Sequence, residues 1–261
     1  MLKLYHGDNS VCSQKARVAL AEKALQWESV LLDLPRGDQY KPEYMKLNPD
    51  AVVPTLVHDD LVVRESSVII EYVDRLSPEN PLMPTGRAAE MTTRLWLIRA
   101  ISIHEAINTM SFATVQWRRV QSLPPEAIDA ELVRLPNPQV AAKRRDIYAH
   151  GVHSVFVGGA LRVLTIMFRD MQAALESGPW LTGDRYGLAD TTLIAYVDRL
   201  DRLGLKGLWD GRFPKVDPWL RASQARPSYA TAIAAYLPPP VVEGMLSAGE
   251  AAWPEIARQL A

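Results

Sequence analysis

A change of rhythm near residue 80 constrains this chain more than any other feature. Up to there apolar residues switch back and forth between period two and period 3.6, whereas beyond about residue 87 strand signals nearly vanish. A sheet therefore belongs to the first part alone, and the second part must bury itself as packed helices. Between them Ser77-Pro78-Glu79-Asn80-Pro81 interrupts any regular element, because proline lacks an N–H and pushes its predecessor out of the helical region. The expected domains are residues 1–80 and 87–261.

In the first part Leu2 to Tyr5 reads as a strand, Cys12 to Lys23 as a helix with Ala16, Ala19 and Leu20 on one face, and Trp27 to Leu32 as a second strand. A short helix at Pro42 to Leu47 follows, then strands at Pro54 to Val57 and Leu61 to Val63 turned at Asp59-Asp60, then a helix from Glu65 to Leu76. The order is βαβαββα. In the second part helical runs cover Arg87 to Arg119, Val140 to Leu175, Leu188 to Leu203, Trp219 to Ala225 and Ser228 to Tyr236. Prolines at 124, 125, 136 and 138 fence off an insertion, about residues 120–146, in which Glu126 to Arg134 is a short helix. Gly158-Gly159, inside a helical run, reads as close helix packing rather than a phosphate cradle. After Pro240 a tail with Val242, Met245 and Leu246 at helical spacing is expected to fold back onto the body.

With 261 residues, 48% of them hydrophobic, and a formal charge of −1, the chain has ample core and no bulk field to draw nucleic acid or an anionic membrane. Lys143-Arg144-Arg145 is too short for nucleic-acid affinity and reads as a solvated helix face. No secretory leader and no run of about 18 apolar residues is seen. A lone Cys12 fits a reducing compartment, so the expectation is cytoplasmic, with no membrane and no nucleic acid as partner. His150 and His153 lie three apart on a helical run, but no third ligand stands at a recognisable spacing, so no metal is expected.

Three segments carry chemistry. Ser10, Cys12 and Ser13 cluster where the first helix begins, and the free N–H groups and dipole of such a terminus stabilise an anion, a thiolate among them. Simple capping by serine accounts for the same pattern. Val52-Val53-Pro54-Thr55-Leu56 sets a proline at a strand start; a cis bond there leaves the Val53 amide and carbonyl outward for a peptide-like ligand, although a trans proline fits the position too. Arg64-Glu65-Ser66-Ser67 opens a helix at which Ser66 suits a carboxylate and Glu65 an ammonium group.

Taken in this order and spacing, these segments resemble the glutathione transferase superfamily. Asn9 to Lys23 is similar to its catalytic loop and first helix, Lys46-Leu47-Asn48-Pro49 with Val53-Pro54-Thr55-Leu56 to its cis-proline segment, and Glu65-Ser66 with Ile69 to Tyr72 to the stretch that grips the γ-glutamyl end of glutathione. Trp180 to Asp184 through Leu188-Ala189-Asp190, and Ala225 to Ser228, resemble the family's helical domain. The resemblance implies an α/β, thioredoxin-like N-terminal domain followed by an all-α bundle, glutathione as co-substrate, and a homodimer. It implies Val53 as backbone partner of the cysteinyl unit, Pro54 as the cis-proline, Glu65 and Ser66 as holders of the γ-glutamyl group, and Gln39 and Lys41 near its glycine end.

The thiolate-stabilising hydroxyl falls on Ser13, which aligns with theta-like enzymes and bacterial β-etherases, or on Ser10, which aligns with zeta-class enzymes. Cys12 reads as a structural thiol, since the catalytic cysteine of omega-like members corresponds to Ser10. Gly187 departs from the family's usual Ser or Thr, leaving half a capping box with Asp190. The implied reaction is attack of glutathione thiolate on an apolar, aromatic electrophile, with Trp117, Tyr148 and His153 as candidate pocket residues. Detoxifying conjugation, cleavage of lignin-derived aryl ethers as in β-etherases, zeta-like isomerisation and a non-enzymatic binding module are the alternatives. Val11, in place of a second zeta-class serine, counts against isomerisation.

Overall fold

Leu2, Leu4 and His6 alternate inward along strand β1 (Leu2–His6), and this strand organises the sheet. In the computed structural model, which describes residues 1–260, β1 pairs in parallel with β2 (Glu28–Leu31) and antiparallel with β3 (Thr55–His58), which turns back into β4 (Leu61–Val63). The strand order is β2-β1-β3-β4. A parallel neighbour requires a crossover, and helix α1 (Val11–Glu22) supplies it. Helix α3 (Ser66–Arg75) joins α1 on one face, sealing Leu4, Leu20, Leu56, Ile69 and Ile70. Helix α2 (Pro42–Met45) lies on the other, where Tyr44 meets Tyr5 with ring centroids 5.7 Å apart.

Asp74, near the end of α3, fixes the path out of the sheet. Its carboxylate accepts from Leu82 N at 2.7 Å, from Met83 N at 2.9 Å and from buried Lys23 Nζ at 2.9 Å. From α4 (Arg87–Ser111) onward the described residues form no strand. A π-helical turn, Phe112–Gln116, joins α4 to α5 (Trp117–Val120), and the proline-fenced insertion carries α6 (Pro125–Val133).

The expected helix from Val140 to Leu175 is in fact two, α7 (Pro138–His150) and α8 (Val157–Ala174), bent by 79°. Gly151 makes the break: its φ is +55°, and a Cβ there would come within 2.8 Å of the Trp117 ring. His150 thus ends α7 and His153 lies in a separate 3-10 turn, so the two do not share a helix. Gly158 and Gly159 open α8, and a Cβ on either would meet only Arg162, at 3.9 and 4.0 Å; the expected close packing is absent there.

Helix α9 (Leu188–Arg202) is buried almost throughout and packs on both α1 and α4, so it ties the sheet to the bundle. The missing hydroxyl at Gly187 has a steric reason. A Cβ there would sit 2.7 Å from Leu82 O, the same oxygen that accepts from Leu188 N at 3.0 Å. Asp190 keeps its half of the cap, accepting from Gly187 N at 3.0 Å, from Leu181 N at 3.0 Å and from Trp219 Nε1 at 2.7 Å. Helices α10 (Val216–Gln224) and α11 (Pro227–Ala232) follow, and the tail folds back as α12 (Pro239–Arg258). It lies so close to α9 that a Cβ at Gly249 would overlap Leu203 O at 1.7 Å. No single helix among the described residues is long and apolar enough to cross a membrane.

Candidate active site

The loop from His6 to Ser10 leaves β1 and enters α1 at the seam between sheet and bundle. Ser10 is the N-cap, with extended backbone, and its Oγ accepts from Ser13 N at 3.3 Å. The side chain is partly exposed, and its hydroxyl proton stays free to donate. Ser13 is fully buried, and its Oγ accepts from Gly7 N at 3.1 Å, closing the loop from inside. The two serines therefore have different surroundings: Ser10 is partly exposed and Ser13 is enclosed. Amides of Ser10, Val11 and Cys12 have no partner among the described residues, as expected for a helix start.

Cys12, partly buried on the first turn of α1, stands among titratable groups from three other elements. His104 of α4 and Ser66 of α3 lie within reach of its sulfur, and Tyr196 of α9 borders both Cys12 and His104. Burial pushes the Cys12 thiol up, but His104, Lys15 and Ser66 more than reverse this and bring it to about 7. His104 moves the opposite way: desolvation lowers it, the Cys12 thiolate outweighs that, and its pKa ends raised. The directions agree with a thiolate–imidazolium pair. Lys15 points into the same cluster, its Nζ donating to Ser67 Oγ at 2.8 Å, and desolvation holds it down at about 8.

Opposite the start of α1 the Val53–Pro54 peptide bond is cis. Beside it, Asn48 Nδ2 and Tyr44 Oη converge on Thr55 Oγ1 at 3.1 and 2.9 Å, bracing the turn. Glu65 precedes α3 with φ +66°, a conformation that side chains rarely adopt and that concentrates at functional sites. Its side chain is exposed while Ser66 is buried at the helix N-terminus, so a carboxylate acceptor and an amide-rich terminus stand side by side.

Gln39 lies in a 3-10 turn, Asp38–Tyr40, with its Oε1 buried and unpartnered. Lys41 follows, exposed and paired with Asp38 at 2.7 Å. The insertion reaches this flank, since a Cβ at Gly37 would lie 3.6 Å from Arg134 Nη1.

Matches to known families fall on the two halves of this arrangement. Residues 9–76 match the model for the N-terminal domain of glutathione S-transferases, and residues 160–222 match the model for their C-terminal domain, together half of the chain. The chain belongs to the glutathione S-transferase family. Glutathione S-transferase Z1 of Arabidopsis thaliana is 43% identical over 114 residues, 42% of this chain and 52% of that one. Glutathione S-transferase 1 of Dianthus caryophyllus is 43% identical over 83 residues, 38% of its own length, so the chain spans about half or less of these relatives. Protein LigF of Sphingobium sp. is 27% identical over 238 residues, covering 87% of this chain and 91% of LigF. The crystal structure of beta-etherase LigF superposes with a TM-score of 0.79 over 88% of this chain.

The pocket candidates of the sequence, Trp117, Tyr148 and His153, stand in different surroundings. Tyr148 is buried with Val120 and Leu132, stacks on Phe112 at 6.1 Å and hydrogen-bonds Glu131, so it packs the insertion. Trp117 lies against Gly151, and His153 is exposed. Groups that the sequence reading passed over do approach the Ser10 loop: His104 of α4 beside Cys12, Ser111 of α4 through the Arg199 that also holds Asn9, and Met245 of α12, whose Sδ is 3.6 Å from Asn9 Nδ2. A signal was present. His104 and Ser111, two turns apart, share the helical spacing of one face.

Proposed function

We propose that this protein is a glutathione transferase in which glutathione lies across the seam with its sulfur at the start of α1. What supports the reading is three features brought together by the pairing of β1 with β3 and the packing of α1 on α3: the Ser10-capped helix start, the cis Val53–Pro54 turn, and the Glu65–Ser66 opening of α3. Each suits a different part of a γ-glutamyl tripeptide. Val53 offers backbone pairing to the cysteinyl unit, Ser66 and the first amides of α3 take the γ-glutamyl carboxylate, and Glu65 takes its ammonium. Gln39 and Lys41 stand on the flank that suits the glycine carboxylate.

In this reading Ser10, not Ser13, donates its hydroxyl proton to the thiolate, because Ser10 is partly exposed and Ser13 is fully buried. The hydroxyl, the unpaired amides of α1 and the helix dipole all favour the charged sulfur over the neutral thiol. An apolar electrophile held beside Met245 then meets a preformed nucleophile, gaining rate from proximity.

A second reading narrows the substrate to aryl ethers, favoured by the likeness to LigF over most of both chains. In that step the sulfur lone pair forms a C–S bond, the C–O bond breaks, and the phenolate leaves with the electron pair and is protonated by water. Retention on immobilised glutathione, followed by turnover of chlorodinitrobenzene and of a β-aryl ether, tests both. Binding with ether cleavage supports the narrower reading, binding with conjugation alone the broader one, and binding without turnover a non-enzymatic module. Failure to bind glutathione overturns the proposal.

The assembly we infer is a homodimer in the cytoplasm. Met91, Leu95, Ile98 and Ile101 form an exposed apolar stripe along the outer face of α4, with Val68 of α3 also exposed. Leu95→Glu with Ile98→Glu should convert a dimer to a monomer in light scattering; a wild type already monomeric at micromolar concentration refutes this assembly.

A further inference from the structure

Three consecutive carbonyls of the active-site loop accept hydrogen bonds from buried guanidinium groups. Arg17 of α1 donates to Gly7 O at 2.8 Å and to Asp8 O at 2.9 Å. The third, Asn9 O, accepts from Arg199 of α9, which also donates to Asn9 Oδ1 at 2.6 Å and to Ser111 Oγ at 3.3 Å. Arg199 thus joins the loop, α4 and α9 at one point. Because C=O and N–H of a trans peptide point opposite ways, drawing the Asn9 carbonyl inward turns the Ser10 N–H away from α9.

Arg199 also carries charge. Among the described residues no carboxylate lies within ion-pair distance of it, and its neighbour Asp198 is paired with Arg202. A buried cation without a carboxylate partner is costly to hold, and perturbed groups of this kind cluster at functional sites.

We propose that Arg199 is a positioning residue for the glutathione thiolate: it locks the Asn9–Ser10 peptide so that the Ser10 hydroxyl and amide face the sulfur, and it places a buried positive charge behind them. This rests on the glutathione reading above. The other charged groups facing this point are Arg202 and Asp198 on α9, Asp8 on the loop, Cys12 and Lys15 on α1, and His104 on α4. Asp198 is paired with Arg202 and, with Asp8, also attracts Arg199 without touching it, while Lys15 and His104 act on Cys12. Arg199 stays charged at neutral pH, since burial, with Arg202 adding, draws its pKa down only to about 9.

The test is an ultraviolet titration of the thiolate of bound glutathione, with the dissociation constant measured alongside, in the wild type, Arg199→Gln, Arg199→Lys and Asn9→Ala. Arg199→Gln should raise the thiolate midpoint by about one unit, a tenfold loss of thiolate well below the midpoint, while the dissociation constant of the thiol form changes less than about threefold. Arg199→Lys, which keeps charge but not the fork, should fall between, and Asn9→Ala should shift the same way by less. A general structural defect would weaken binding and leave the midpoint in place. If Arg199→Gln does not fold, the other two variants decide, and wild-type midpoints in both overturn the proposal. A wild type that does not bind glutathione defeats the functional reading and this inference with it; a wild type with a lowered midpoint that no variant moves defeats this inference alone.

Discussion

Replacing Ser10 and Ser13 separately by alanine should give opposite phenotypes, because the two hydroxyls differ in what they touch. Ser13 Oγ is buried and accepts from Gly7 N at 3.1 Å. Its removal leaves a buried amide without a partner, which costs about 1–3 kcal/mol. For a chain of this size that lowers the melting temperature by roughly 2–10 °C. Ser10 caps α1 through a 3.3 Å bond from Ser13 N, and losing it costs about 1 kcal/mol of stability. Its larger effect is on chemistry, since a hydrogen bond to a charged group contributes about 1.5–3 kcal/mol, or roughly a 10- to 150-fold fall in kcat/KM. Thermal melts and initial rates with saturating electrophile read both quantities. Turnover abolished in Ser13→Ala with melting unchanged, and Ser10→Ala silent in both, would refute the assignment of roles.

Cys12, with a thiol at about 7, should be about half thiolate at pH 7, where an ordinary thiol near pH 8.5 is only about 3% ionised; iodoacetamide should therefore label it roughly tenfold faster than an ordinary thiol of equal access, protected by glutathione. His104→Gln removes the cation and should move the labelling midpoint upward; an unmoved midpoint rejects the pair. His6, buried with Nδ1 accepting from Arg17 Nη1 at 3.0 Å and Nε2 donating to Ser29 Oγ at 2.7 Å, is held at about 4, chiefly by burial and then by Arg17. Between pH 4 and 6.5 the unfolded chain binds the extra proton, so stability should fall as pH drops through that window, and His6→Gln should flatten the fall in denaturant melts. Gly187→Ser, which restores the family's usual residue, should destabilise by roughly 1–3 kcal/mol rather than stabilise, because its Cβ would meet Leu82 O at 2.7 Å.

Much of the fold was legible because it is written in short-range patterns. The alternation in β1, the period of α1 and α3 and the proline breaks at 78 and 81 each act within a few residues, and the strands and helices before residue 80 begin within a residue of where those signals place them. What escaped depends on distant contacts. The bend at Gly151 needs its positive φ and the Trp117 ring, which lies 34 positions earlier, and the π turn at Phe112–Gln116 has no marker of its own.

The site divides in the same way. Pro54, Glu65 and Ser66 stand in local motifs that announce themselves, whereas the choice between Ser10 and Ser13 turns on which hydroxyl meets Gly7 N in the folded chain. His104 and Arg199 reach the loop from helices about 90 and 190 residues away, so no local pattern could single them out. The Ser or Thr missing at Gly187 looked like a lost cap, but the backbone of Leu82 occupies its space.

A crystal structure of the protein with glutathione bound tests the central claim most directly. The account predicts the glutathione sulfur within hydrogen-bond distance of Ser10 Oγ at the start of α1, its cysteinyl amide paired with Val53 and its γ-glutamyl carboxylate on Ser66. Glutathione bound away from this seam, or with its sulfur beyond reach of the Ser10 hydroxyl, would contradict it.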